Sequence, residues 1–281
     1  MSTASTASTA ITAPHILVMD WGIGGLATFA ALAERLPDVP VHYLSDSGFT
    51  PWGKVEPEAL AGRISTLAGP RLGPHDLLVL ACNAASTVID RLRLPPGVAV
   101  SGVIEPGVTL LERAVRQGLR RLAVLGGART IASGAHRLGL QPRLAALAPR
   151  PPVSILELVA QPLSAHVEAG RLDGPALMDD LAPLLAALRD HGAEAVLLAC
   201  THYPALLPVL AREAPGLVWL DPVADPLDGL VGSLAPGSAL TRFQTAASAS
   251  RSVSTTGDPE STRVAASAAF GLHIPEILRA I

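Results

Sequence analysis

From His15 onward, short apolar runs rich in Val, Leu and Ile alternate with longer segments whose apolar positions recur at helical spacing. Short runs bounded by turn signals read as strands buried on both faces, and the longer amphipathic stretches read as the helices that cover them. This pattern predicts strands over 16–20, 41–45, 77–82, 98–104, 122–126, 153–158, 195–200 and 217–220, with a weaker one near 253–256. Helices are expected in the gaps, notably over 26–35, 57–67, 106–117 and 175–191. Pro57, Pro106 and Pro175 suit the first turn of a helix, where a missing N–H costs little. Strands alternating with helices give an α/β protein built on parallel sheets.

The pattern also repeats itself. Ile16-Leu17-Val18-Met19-Asp20 leads into a Gly-rich turn and a helix, and Leu122-Ala123-Val124-Leu125-Gly126 does the same before Thr130. Further along each half, Leu77-Leu78-Val79-Leu80-Ala81-Cys82-Asn83 is matched by Ala195-Val196-Leu197-Leu198-Ala199-Cys200-Thr201. Each cysteine closes an apolar strand and opens a polar loop. Ligands of open α/β sheets bind at the carboxyl ends of the strands, so two similar halves facing one another bring both thiols to one cleft. The expected architecture is therefore two pseudo-symmetric parallel-sheet α/β domains with the active site between them. A length of 281 residues suits two domains. The expected division is a first domain over 15–104 plus 221–281, carrying Cys82, and a second over 105–220, carrying Cys200. Residues 1–14 repeat a Ser-Thr-Ala unit with no charge and are expected to form a disordered tail.

Composition narrows the chemistry. The net charge is -3 and no basic run occurs, which argues against nucleic acid as a partner. No apolar run approaches the roughly 20 residues of a membrane span, and neither a secretory nor a transit signal is visible, so a cytoplasmic location with reduced thiols is expected. Two cysteines at this separation fit neither a disulfide scaffold nor a Cys-x-x-Cys site, and His136, His166 and His191 lack metal-ligand spacing. No metal is assigned. The chain has a single lysine, Lys54, so a pyridoxal phosphate Schiff base has only that residue to form on; no cofactor is expected.

A thiol is poised for proton transfer near neutral pH once a neighbour stabilises its thiolate. Two acid/base groups on opposite sides of one carbon are what inversion of a stereocentre requires. Taken one at a time, the residues also have plainer readings. A free Cys is commonly a small buried apolar residue, Asp20 fits a helix N-cap, His202 a capping histidine and Glu168 a solvated helix position.

Five segments together resemble one family. They are Asp20-Trp21-Gly22-Ile23-Gly24-Gly25-Leu26, Ser45-Asp46-Ser47 with Pro51-Trp52-Gly53, Ala81-Cys82-Asn83-Ala84-Ala85-Ser86, Gly102-Val103-Ile104-Glu105-Pro106-Gly107, and Ala199-Cys200-Thr201-His202-Tyr203-Pro204. In order and spacing they are similar to the motif set of the aspartate/glutamate racemases, most of all the glutamate racemases, and Thr255-Thr256-Gly257-Asp258 resembles a late motif. The resemblance implies cofactor-independent racemisation of an amino acid. It makes Cys82 the base for the D-enantiomer, assisted by Asp20, and Cys200 the base for the L-enantiomer, assisted by His202 and Glu168. It implies substrate contacts from Asp20, Trp21, Trp52, Gly53, Asn83, Ala84, Thr130, Thr201 and His202, and a product, D-glutamate, used for peptidoglycan. Racemases of this kind often dimerise, so a homodimer is among the expected assemblies.

Departures from the pattern cluster at the site. Trp21 stands where Ser is usual, Trp52 where Tyr is usual, Ala84 where Thr follows the Cys-Asn, and Gly127 where Thr is common, with Thr130 retained. The alternatives to glutamate are therefore a same-fold racemase for aspartate or another acid, or a catalytically silent ligand-binding homologue.

Overall fold

The computed structural model describes residues 14–148, 150–222 and 250–280. The expected tail falls outside these apart from Pro14, as does 223–249 of the segment expected to return to the first domain. The chain runs β1 (Ile16–Asp20), α1 (Leu26–Arg35), β2 (Val41–Ser45), α2 (Pro57–Ala68), β3 (Leu77–Leu80), α3 (Asn83–Ser86), β4 (Ala99–Gly102) and α4 (Ile104–Arg116). It continues through β5 (Arg121–Gly126), α5 (Ala128–Ser133), α6 (Ala135–Leu147), β6 (Ser154–Val159), α7 (Gln161–Glu168), α8 (Pro175–His191), β7 (Ala195–Ala199), α9 (Leu207–Glu213) and β8 (Val218–Leu220). The last described elements are β9 (Arg251–Thr255), α10 (Pro259–Phe270) and β10 (Leu278–Arg279).

The strands form two sheets, one of six strands in the order β10-β9-β2-β1-β3-β4 and one of four in the order β6-β5-β7-β8. Every pairing is parallel. In each sheet the strand that leads into the Gly-rich turn pairs directly with the strand that leads to the cysteine: β1 with β3, and β5 with β7. The segment beginning at β9 returns to the six-stranded sheet, where Val41 to Ser45 pair with Arg251 to Thr255.

Parallel strands covered on both faces must be apolar throughout, and β1 is buried along its whole length. Its residues divide by parity, as side chains of a strand must. Ile16 and Val18, with Leu77 and Val79 of β3, belong to a core that also contains Leu125 and Leu198 of the second sheet. Leu17 and Met19, with Leu78 and Leu80, pack on Leu60 and Ile64 of α2. On the far face of the second sheet, Leu122 and Val124 pack with Val108 and Leu111 of α4. One continuous core thus joins the two sheets and holds their carboxyl ends in fixed relation.

Two boundaries differ from the sequence expectation in a way that matters. The strands expected to run to Cys82 and Cys200 stop at Leu80 and Ala199. Ala81 still donates to the Met19 carbonyl, after which the chain turns, and Cys82 becomes the N-cap residue of α3. α4 begins at Ile104, two residues before Pro106, because a proline in the first turn forfeits only an N–H that has no helical partner. Among the described residues no helix is long and apolar enough to cross a membrane.

Candidate active site

A cavity of about 520 Å3 opens where the carboxyl ends of the two sheets meet. This lies within the roughly 300–1,000 Å3 usual for small-molecule sites. Cys82 enters it from the end of β3 and Cys200 from the end of β7, and both are free thiols. The two are near enough that a negative charge on Cys200 raises the proton affinity of Cys82.

Asp20, fully buried at the end of β1, stands beside the first thiol. Its Oδ1 accepts the backbone N–H of Trp21 at 2.7 Å, and its Oδ2 accepts the hydroxyl of Thr201 at 2.8 Å. Burial pushes the Asp20 carboxyl up to about 6, although the charge of His202 and the hydrogen bonds from Thr201 and Cys82 oppose the rise. Burial also pushes the Cys82 thiol well above its ordinary value, and the Asp20 charge adds to the effect. Cys82 is thereby held protonated beside the Asp20 carboxylate.

Two residues stand in line behind the second thiol. Nδ1 of His202 lies 3.7 Å from Cys200 Sγ, and Nε2 lies 2.5 Å from Glu168 Oε1. Burial opposes charge on His202, but the hydrogen bonds to Cys200 and Glu168, together with the charges of those two groups, outweigh it and raise its proton affinity well above the ordinary imidazole range. Glu168 Oε1 also accepts the N–H of Ile23 at 2.8 Å, so the carboxylate at the end of α7 is fastened to the turn after β1.

The Gly-rich turn permits this closeness. Gly22 has φ +82, a backbone state that side chains rarely adopt, and a Cβ there would collide with Glu168 Oε1. A Cβ on Gly24 would collide with the Thr201 hydroxyl and come within 2.8 Å of His202 Nδ1. These glycines let the turn of one sheet approach the cysteine loop of the other.

The remaining residues expected at the site also line this cavity: Trp21, Trp52 and Gly53 on one wall, Asn83 and Ala84 beyond Cys82, and Thr130 and Thr201 on the side of the second sheet. Neither amide atom of Asn83 has a partner among the described residues, although the side chain is buried. Such atoms cost about 1–3 kcal/mol each unless a ligand or water satisfies them. Both indoles are already committed, Trp21 Nε1 donating to the Phe49 carbonyl at 2.8 Å and Trp52 Nε1 to Asp46 Oδ2 at 2.9 Å. They offer the cavity apolar faces and no free donor.

Lys54, Gln161 and Ser164 line the cavity without having been singled out as substrate contacts. The signal for the last two was present: positions 161, 164 and 168 are spaced i, i+3, i+7 and share one helix face with Glu168. Lys54 had its own signal as the sole lysine, adjoining Trp52-Gly53. Among the described residues, no group of three or more His, Cys, Asp or Glu side chains is arranged to hold a metal ion.

Comparison with known proteins agrees with this fold. The family model described as Asp/Glu/Hydantoin racemase matches residues 16–227. The glutamate racemase of Pseudomonas entomophila is 36% identical over 204 residues, covering 70% of this chain and 72% of that protein. The structure of glutamate racemase from Thermus thermophilus in complex with β-chloro-D-alanine superposes with a TM-score of 0.64 at 26% identity, covering 95% of this chain and 96% of that one. That of glutamate racemase from Francisella tularensis in complex with D-glutamate gives 0.76 at 20% identity, covering 95% and 97%, a likeness of fold. With a family model spanning most of its length and a relative this similar over most of both chains, the protein belongs to the Asp/Glu/Hydantoin racemase family.

Proposed function

We propose that the protein interconverts L- and D-glutamate by cofactor-independent proton transfer between two thiols, with the cleft between segments 15–104 plus 221–281 and 105–220 as its active site. The observation that carries this reading is the pair of cysteines in one cavity, each with its own acid/base partner. In the L-to-D direction, the Cys200 thiolate removes the α-proton, the electron pair delocalises onto the α-carboxylate, and the Cys82 thiol delivers its proton to the opposite face. The reverse direction begins with transfer from Cys82 to Asp20, whose raised proton affinity makes it a better base than an ordinary carboxylate. His202, backed by Glu168, manages the charge on Cys200. Without an electron sink, the chemistry depends on donors that stabilise the growing carboxylate charge, and the unpartnered amide of Asn83 with the hydroxyls of Thr130 and Thr201 suits that task. The product fits a role in supplying D-glutamate for peptidoglycan in the cytoplasm, where thiols stay reduced.

A second reading, racemisation of aspartate or another acid, is favoured by one observation: Trp21 and Trp52 present apolar surface where the family pattern has hydroxyls. Incubation in deuterated buffer with each enantiomer of glutamate and aspartate, followed by NMR, separates the two. Loss of the α-proton signal from glutamate supports the first reading. Loss from aspartate alone replaces it with the second, and silence across a wider panel of acids leaves a ligand-binding homologue.

A further inference from the structure

We infer that Lys54 is the specificity-determining residue of this site, binding the side-chain carboxylate of the acidic substrate from the cavity mouth. The inference rests on the acidic amino-acid reading above and adds to it the residue that recognises the second acid group.

The electrostatics of the cavity lead to it. The lining contains two carboxylates, Asp20 and Glu168, and an amino acid with a second carboxyl group arrives carrying net negative charge. Its distal carboxylate therefore needs a cation. His202 is already engaged by Glu168 on one ring nitrogen and by Cys200 on the other. Among the described residues Lys54 is the only Lys or Arg side chain lining the cavity, and it is the only lysine in the chain. Its ammonium group has no partner among the described residues, whereas the arginine nearest to it in sequence, Arg63, is bound to Asp46 through two nitrogens, at 2.7 and 3.0 Å.

Lys54 also stands on a fixed support. It ends a single 3-10 turn, Trp52–Lys54, whose first residue is 1% exposed and tied to Asp46. Asp46 is itself buried and accepts from Arg63 and from the Thr256 hydroxyl at 2.8 Å, so the turn is braced by α2 and by the segment that follows β9. A flexible ammonium on a rigid base can reach a carboxylate without ordering the loop that carries it.

Across the opening, Gln161 completes the subsite. Its Oε1 accepts the N–H of Ala128 at 3.0 Å, and a Cβ on Gly53 would sit 3.2 Å from the same atom. Its Nε2 group has no partner among the described residues, and Gln161 lines the same cavity as Lys54. A charged donor from the first sheet and an amide donor from the second thus face one region, and they supply the recognition that the hydroxyls absent at Trp21, Ala84 and Gly127 do not.

The test measures quenching of the fluorescence of Trp21 and Trp52 by D-glutamate and by its neutral isostere D-glutamine, together with the kinetics of α-proton exchange. The variants are Lys54→Met and Lys54→Arg. Lys54→Met is expected to weaken D-glutamate about tenfold while D-glutamine changes less than twofold, with the kinetic loss appearing mainly in KM. Lys54→Arg is expected to stay within about threefold of the wild type. Equal weakening of both ligands, a fall in kcat with KM unchanged, or no change in either would overturn the inference, as would a wild-type protein that binds neither ligand. Glutamate binding that depends on Lys54 without α-proton exchange leaves the inference standing and overturns glutamate racemisation. Exchange unaffected by Lys54→Met does the opposite.

Discussion

Cys82 and Cys200 occupy the same place in their respective halves, one or two residues past the end of a buried parallel strand, yet the residues around them have diverged. Cys82 stands beside a fully buried carboxylate, whose charge makes the thiol harder to ionise. Cys200 stands beside an imidazole whose far nitrogen is held by Glu168, an arrangement that places positive charge next to sulfur. The backbone is pseudo-symmetric and the electrostatics are not. A racemase must take a proton on one side while giving one on the other, so its two sides cannot be in the same protonation state at the start of a turnover. On the proposed mechanism, unequal partners would prepare that difference, with Cys82 as the acid.

Removing the thiols one at a time tests the comparison most severely. Cys82→Ser and Cys200→Ser are each expected to lower racemisation by about 10³-fold or more. They should differ in isotope exchange, with Cys82→Ser sparing deuterium incorporation into L-glutamate relative to D-glutamate and Cys200→Ser doing the reverse. NMR of each pure enantiomer reads this, and identical losses in both variants would end the two-sided assignment.

Asp20→Asn comes next, with an expected loss of about 10²-fold in kcat from D-glutamate. In the wild type, activity from D-glutamate should fall as pH drops through about 6, as Asp20 takes up its proton, and the variant should lose that limb. Stability should move the other way. The folded carboxyl binds its proton more tightly than the unfolded one, so its contribution to stability declines as pH rises from about 4 to about 6. Asp20→Asn is therefore expected to stabilise the protein at pH 8 by up to about 3 kcal/mol, a difference that closes below pH 4 in urea titrations. A more stable and less active variant would show that the site holds its carboxylate at the expense of folding free energy.

Glu168→Gln sharpens the other side, with an expected loss of about tenfold. The imidazole then keeps its sulfur partner but loses the negative charge that supports its proton. A group whose proton affinity rises on folding stabilises the protein at low pH and ceases to do so as pH passes its folded value. The variant should accordingly shift the alkaline limb of kcat downward for L-glutamate and leave the acid limb near 6 in place. The smallest expected effect, a few-fold rise in kcat/KM for glutamate, belongs to Trp21→Ser combined with Ala84→Thr, which restores hydroxyls to the walls without touching either thiol.

The element order and both cysteine positions were legible in the sequence because a parallel strand buried on two faces must be an uninterrupted apolar run, and Cys82 and Cys200 each end one. What the runs obscured was where pairing stops, since Ala81 and Cys82 are as compatible with a strand as Leu80. The polar lining followed the same rule in reverse. Asp20, Asn83 and Thr201 adjoin strand ends and were legible, whereas Gln161 and Ser164 lie in an ordinary amphipathic helix and were marked only by sharing a face with Glu168. Lys54 was conspicuous as the sole lysine, but its place in the site depends on how Trp52 packs against Asp46.

The sequence by itself determined the parallel α/β class, the strand-turn-helix repeat and the pair of thiols at equivalent strand ends, because hydrophobic periodicity and turn chemistry are local properties. Only the tertiary structure decided which of the site's groups touch one another. Thr201 reaches Asp20 across 181 residues of chain, Glu168 reaches Ile23 across 145, and His202 reaches Glu168 across 34. No local pattern encodes such contacts. They follow from the common core that fixes the two sheets together and from the bare turn at Gly22 and Gly24 that lets one sheet's backbone come against the other's side chains.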